Sequence, residues 1–334
     1  MPGKLKADAV FEGGGVKGIG LVGAIAEIER AGYEFVNLAG TSAGAIAAGL
    51  LAVGYRAAEI KTKLEELDYR DFQDEGLLDK LGLPGKALSL GFELGIYEGQ
   101  YFHDWFEGLL QARGKTKFGD LVTEWSNDVR YRYKLQVIAA DVTDQRMLVL
   151  PRDLESFGLD PDEFPIARAV RMSMSIPLFF EPVRLKDKND RVHIIVDGGL
   201  LSNYPVWLLD DGTSSPPWPT FGFKLVERAE RTLGTADWKP IKGPVEFLKA
   251  VLGTLTGAHD RFHISESHGD YQRTIGIPTT VNVGGRNKEI KATDFDLTKE
   301  ESRLLYENGV AAGRKFLATW DFDAWKTTYR SARS

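Results

Sequence analysis

The chain has 334 residues, of which 43% are hydrophobic and 27% charged, with a formal net charge of -6; this supports a sizeable core and excludes a disordered chain. The acidic balance, without any block of Lys and Arg, argues against a nucleic-acid partner. The absence of cysteine excludes disulfides, thiolate nucleophiles and cysteine metal sites, and leaves covalent roles to Ser, Thr, Lys or a carboxylate.

In chain order, residues 7–11 read as a short apolar strand and 12–18 as a glycine-rich loop. Residues 19–28 carry apolar side chains at helical spacing, Gly32 marks the stop, and 35–39 read as a second strand. A small-residue helix over 45–53 completes a βαβ start. From 57 to 113 the spacing predicts helix broken by glycine-punctuated apolar stretches at 81–85 and 90–96. Segment 77–96 is a candidate flap or membrane-touching element, with a core helix pair as the alternative.

Strands are expected at 135–140 and 147–150, a helix at 166–173 and a buried strand at 193–196. A loop at 211–219 precedes a strand at 220–225, a helix near 245–255, a β region near 271–283 and a closing helix from 298 to about 319. This alternation favours an α/β sheet covered on both faces. No apolar run reaches the roughly eighteen residues of a membrane span, and the first nine residues lack a secretory pattern. The expectation is a cytoplasmic chain, with any membrane contact peripheral and transient and an oligomeric state that the sequence leaves open.

Three segments carry chemistry. Gly40-Thr41-Ser42-Ala43-Gly44 fits the nucleophile-elbow pattern G-x-S-x-G, in which a sharp strand-to-helix turn exposes a serine hydroxyl. A small-residue turn at a helix start fits the pentapeptide alone, but the strand before it and the helix after it supply the elbow's context. Glu12-Gly13-Gly14-Gly15-Val16-Lys17-Gly18 follows a strand and opens a helix, so its N–H groups are placed to bind an anion.

A nucleotide reading of this loop is weak. No acidic residue stands ready for a ribose, and Lys17 is not followed by the Ser or Thr of a P-loop. An oxyanion hole serving Ser42 fits better, with Lys17 holding the loop or adding positive charge. Val196-Asp197-Gly198-Gly199 ends a buried strand with a carboxylate. It reads as a turn, or as the base that takes the proton of Ser42; the second role requires burial to raise a carboxyl that ordinarily titrates near 3.9.

The ordered set Gly13 to Gly18, Gly40 to Gly44 and Asp197 to Gly199 resembles the patatin-like phospholipases, α/β lipid acyl hydrolases with a Ser-Asp dyad. The Met172-Ser-Met-Ser-Ile-Pro-Leu-Phe-Phe-Glu-Pro182 segment and Asn203-Tyr204-Pro205 are similar to further landmarks of that family.

The resemblance implies a three-layer α/β/α patatin-like fold with a central, mostly parallel sheet, Ser42 as nucleophile and Asp197 as base. It also implies an oxyanion hole in the loop of Gly13, Gly14, Gly15, Lys17 and Gly18, drawn from amides near Gly14 and Gly15, together with elbow glycines Gly40 and Gly44 and base-motif glycines Gly198 and Gly199. It implies no metal and no organic cofactor. A catalytic domain over 6–225 is expected, with 226–334 as a helical and β extension packed on it.

The expected substrates are acyl esters of phospholipids, lysophospholipids or related glycerides. The rival readings are a Ser-His-Asp hydrolase using His103, His193, His259, His263 or His268, an acyltransferase or thioesterase, and a lipid-binding protein with unused machinery. Trp105, Phe106, Phe179, Phe180 and Tyr204 are candidates for an acyl pocket or for plain core packing.

Overall fold

A computed structural model describes residues 5–68, 97, 99–210, 212–227 and 269–330. The expected flap at 77–96, the expected helix near 245–255 and His259, His263 and His268 lie outside the described residues.

Strand β1 (Leu5–Phe11) runs into the glycine loop and helix α1 (Gly18–Arg30), then β2 (Tyr33–Thr41), α2 (Ala43–Ala52), α3 (Ala57–Glu65) and α4 (Gln100–Gln111). Next come β3 (Leu135–Asp141), β4 (Arg146–Leu150), α5 (Ile166–Ser173), β5 (Val183–Lys186), β6 (Val192–Asp197) and β7 (Thr220–Val226). The chain closes with β8 (Thr274–Pro278), β9 (Thr280–Val283), β10 (Arg286–Glu289), α6 (Lys299–Leu317) and α7 (Phe322–Tyr329). The periodic segments were legible from spacing; β5, β10 and α7 were not.

Eight strands form one sheet in the order β5-β6-β3-β2-β1-β7-β8, with β4 paired to β3. The β1-β2, β2-β3, β1-β7 and β7-β8 pairs are parallel, whereas β3-β4, β3-β6 and β5-β6 are antiparallel. The result is a mixed, mostly parallel sheet flanked by helices. The two-residue period of β1 sends Ala7, Ala9 and Phe11 into the main core with α1 and α2, and Val10 into a smaller cluster with Ala39, Ile138, Leu208 and Leu209 on the other face. The described C-terminal residues join the same body, since β8 extends the sheet and α6 lies along α1. That helix pair is close enough for a Cβ on Gly23 to sit 2.1 Å from the Tyr306 carbonyl oxygen.

The register around β3 decides where the site forms. Residues 137–141 all pair with β4 along one edge of β3. The other edge is shared: β2 occupies it up to the Thr41–Ile138 pair, and β6 occupies it from Ala139–Asp197 onward. Because β2 runs parallel and β6 antiparallel to β3, the two strands approach head-on. The residue that ends β6 and the residue that follows β2 are thereby brought together.

Candidate active site

Ser42 sits where β2 gives way to α2, with φ 54° and ψ -125°. Positive φ in a residue with a Cβ is strained by roughly 1–3 kcal/mol and persists only where the surroundings impose it. They do so here. A Cβ on Gly40 would lie 2.3 Å from the Gly44 carbonyl oxygen, and one on Gly44 2.3 Å from that of Phe11, so both flanking positions require glycine. The Ser42 N–H donates to Ser173 Oγ at 2.8 Å, and Ser173 Oγ donates onward to the Ile138 carbonyl at 2.6 Å. This relay fixes the elbow against β3. The Ser42 hydroxyl also lies 3.7 Å from Met174 Sδ.

Asp197 is 5% exposed and Ser42 4% exposed. The Asp197 N–H donates to the Ser175 carbonyl at 2.9 Å. Its carboxylate accepts the Gly199 N–H at 2.7 Å. Burial pushes this carboxyl from its ordinary 3.8 up to about 6, against the opposing pull of the Ser42 hydroxyl and the Gly199 N–H. A carboxylate this reluctant to remain charged is a stronger base than an exposed aspartate.

The glycine loop forms the opposite wall. Five of its amides are committed: Glu12 N–H to the Phe223 carbonyl at 3.0 Å, Gly13 to that of Asn203 at 3.1 Å, Val16 to Ala292 at 3.1 Å, Lys17 to Gly14 at 3.2 Å, and Gly18 to Gly15. Asn203 Nδ2 also donates to the Gly13 carbonyl at 3.1 Å. The amides of Gly14 and Gly15 have no partner among the described residues. Gly15 has φ 54°, and a Cβ there would fall 1.9 Å from the Ala292 carbonyl oxygen, so this turn is open to glycine alone.

Gly14, Gly15, Ser42, Asp197 and Gly199 line one cavity of about 240 Å³, together with Gly13, Lys17, Ile176, Pro177, Leu200, Asn203 and Ala292. Gly18 lies outside that lining, as do Gly40, Gly44 and Gly198. The last of these instead lets β6 approach β3: a Cβ on it would be 2.4 Å from the Ile138 carbonyl oxygen.

Two charged residues anchor the loop. The Lys17 ammonium pairs with Glu227 at 3.2 Å. Buried Glu12 pairs with Lys224 at 3.0 Å and accepts the Leu225 N–H, which ties the loop to β7; burial lifts its carboxyl to about 6.

The two described histidines, His103 and His193, stand elsewhere. His103 is on α4 beside Asp104 and Glu107. His193, buried near the start of β6, bonds Asp141 at 2.9 Å, four residues and so about 13 Å of strand away from Asp197. Neither lines the Ser42 cavity. Of the five aromatic candidates, Phe106 and Tyr204 belong to the interior, the latter with its hydroxyl 2.7 Å from Thr274 Oγ1. Trp105 lines a narrow apolar crevice beside Ala43.

Residue-by-residue reasoning missed Ser173, Met174, Ser175 and Ala292 as parts of the site. Ser173 ends α5, Met174 and Ser175 follow it, and all three lie against Ser42 or Asp197, while Arg171 donates to Ser175 Oγ at 2.6 Å and to the Glu181 carbonyl at 3.0 Å. Ala292 contributes only a carbonyl, for which no side-chain signal exists.

Residues 9–210 match the family described as patatin-like phospholipase. The chain is 40% identical over 320 residues to uncharacterized protein YqhO of Bacillus subtilis (strain 168), covering 94% of this chain and 99% of that protein. It is 24% identical over 304 residues to uncharacterized protein R571 of Acanthamoeba polyphaga mimivirus, covering 90% of each. VipD from Legionella pneumophila shares the fold, with a TM-score of 0.54 at 19% identity over 95% of this chain and 67% of that one. With a family match over more than half its length, extending from β1 past Asp197, the chain belongs to the patatin-like phospholipases and is a lipid acyl hydrolase.

Proposed function

We propose that the chain cleaves carboxylic esters of phospholipids, lysophospholipids or related acyl glycerides through an acyl-serine intermediate, with Ser42 as nucleophile and Asp197 as its base. The observation that carries this reading is one cavity lined by a strained, buried serine, a carboxylate raised to about 6 and two uncommitted amides.

In the first half-reaction Ser42 Oγ attacks the ester carbonyl carbon while its proton passes to Asp197. Negative charge develops on the carbonyl oxygen, and the Gly14 and Gly15 N–H groups receive it; removing one such donor costs roughly 10²–10³ in kcat in other acyl-transfer enzymes. The N-terminal end of α2, directly after Ser42, adds a favourable potential. Collapse breaks the ester C–O bond, and Asp197 returns the proton to the leaving alkoxide, which departs as the alcohol. In the second half-reaction a water molecule attacks the acyl-serine, gives its proton to Asp197 and releases the carboxylic acid as Ser42 Oγ recovers a proton.

The test is hydrolysis of a short p-nitrophenyl ester and of a phospholipid with fluorescent acyl chains by wild type, Ser42→Ala, Asp197→Asn and a His259/His263/His268 triple variant. Loss of both activities in the first two variants with retention in the third is expected. An inactive wild type whose Ser42 fails to react with a serine-directed phosphonate would favour a lipid-binding role.

A further inference from the structure

The chain holds no cysteine and four methionines, Met1, Met147, Met172 and Met174, so its sulfur chemistry is confined to thioethers. The last three are among the described residues, and each has a different setting. Met147 is half-buried on β4 against the smaller core cluster. Met172 is fully buried in the main core. Met174 follows the end of α5, is 6% exposed, and its Sδ accepts from the Ser42 hydroxyl at 3.7 Å. The reaction described above uses that hydroxyl and leaves the sulfur without a role.

We infer that Met174 is an oxidation site through which a peroxide switches the hydrolase off. The inference rests on the hydrolase reading above and adds a means of regulation to it. Two observations carry it. The sulfur and the Ser42 hydroxyl are in contact, and Ser42 lines the cavity of about 240 Å³. A peroxide that reaches the hydroxyl from this cavity is therefore one contact away from the sulfur. In addition, the Ser42 N–H is already given to Ser173 Oγ at 2.8 Å, so the hydroxyl is the Ser42 donor that can be redirected.

In the oxidation a sulfur lone pair attacks one oxygen of hydrogen peroxide. The S–O bond forms as the O–O bond breaks, and the second oxygen departs with both protons as water. Sulfur gives up two electrons and the peroxide takes them. The thioether is only a weak hydrogen-bond acceptor, whereas the sulfoxide is polar and its oxygen, buried without a donor, is costly. The Ser42 hydroxyl, already directed at this side chain, satisfies it. A proton held there does not pass to Asp197. General-base catalysis is worth roughly 10²–10⁴-fold, so kcat/KM of the oxidised protein should fall by at least about 10².

The experiment exposes the full chain to hydrogen peroxide for increasing times and then removes the peroxide with catalase. Hydrolysis of a soluble p-nitrophenyl ester is measured relative to the same protein untreated, and mass spectrometry of tryptic peptides reads the oxygen gained at each methionine. Wild type should lose activity and phosphonate labelling of Ser42 in step with oxygen gain at Met174, with circular dichroism unchanged. Met147→Leu should be inactivated at the wild-type rate. Met174→Leu, which presents no sulfur to Ser42, should keep its own starting activity over the same exposure.

Three results would overturn the inference and leave the hydrolase reading standing: activity that persists once Met174 carries oxygen, a Met174 still unoxidised when Met147 is fully oxidised, or Met174→Leu inactivated as fast as wild type. The first two are read on wild type alone and decide the matter even where Met174→Leu fails to fold. Untreated wild type that hydrolyses no ester removes the hydrolase reading, and this inference with it.

Discussion

Replacing Asp197 with Asn separates what the residue does for chemistry from what it costs the fold. Moving a carboxyl from 3.8 to about 6 means that its ionised form is less stable in the folded protein than in the unfolded chain, by ~1.4 kcal/mol per pH unit of displacement, or about 3 kcal/mol in all. The direction follows from proton uptake: between the two values the folded state holds the proton that the unfolded chain has lost. Wild type is thus spared the cost below pH 3.8, accumulates it as pH rises, and bears all of it above about 6.

Asparagine keeps an oxygen to accept from Gly199 and carries no charge. Asp197→Asn should therefore gain stability over wild type as pH rises, the difference between the two proteins widening by about 2.4 kcal/mol from pH 4 to pH 8. Glu12, also lifted to about 6, contributes its own slope to both proteins and cancels in the comparison. Urea unfolding of both at the two pH values reads the quantity, and ester hydrolysis at pH 8 should be lost in the more stable protein. A stability difference that stays flat between pH 4 and pH 8 would refute the claim that burial raises this carboxyl.

As the proposed base the same carboxyl sets the rate, so wild-type kcat/KM should rise with pH along a limb centred near 6 and then level off, measured on a soluble ester; a limb centred near 4 would mean that an unperturbed carboxylate suffices. Ser173→Ala strands the Ser42 N–H, and should cost about 1–3 kcal/mol in denaturant unfolding and lower kcat more than it alters KM. Gly15→Ala drives a methyl onto the Ala292 carbonyl and should slow phosphonate labelling of Ser42 by roughly 10², with circular dichroism near wild type. His193→Gln disturbs a buried ion-pair cluster, so its melting temperature should drop while the acid limb of surviving activity stays near 6. A limb that moved would return a histidine to the mechanism.

Much of the site was legible because its demands are local. An elbow needs glycine on either side of its serine, and a strand followed by a glycine loop opening a helix announces free amides; both appear as unbroken stretches of sequence. Which amides remain free was not legible. Gly13 and Lys17 look equivalent to Gly14 and Gly15 in the sequence, and only Asn203 and the turn after Gly14 remove them from the set. Ala292 stays hidden for the same reason, because a backbone carbonyl leaves no trace in residue type. In the fold, long amphipathic segments such as α6 announced themselves, whereas the four-residue strands β5 and β10 are too short for a period to register.

The pairing of Ser42 with Asp197 depends on something no local pattern carries. Two strands sharing one edge of β3 must stop within one residue of each other, and the ladder that holds β6 there is only three pairs long. Pleating makes this register unforgiving, since a slip of one residue turns the Asp197 side chain to the other face of the sheet. The structure compensates around that short ladder: Asp197 N–H is caught by Ser175, Thr41 Oγ1 donates to the Ser202 carbonyl at 3.0 Å, and the Gly198 position admits no Cβ. The residues at 173–175 and 198–203 therefore act together to hold Asp197 beside Ser42, 155 positions away in sequence, and the small-residue content of both segments is the imprint of that close approach.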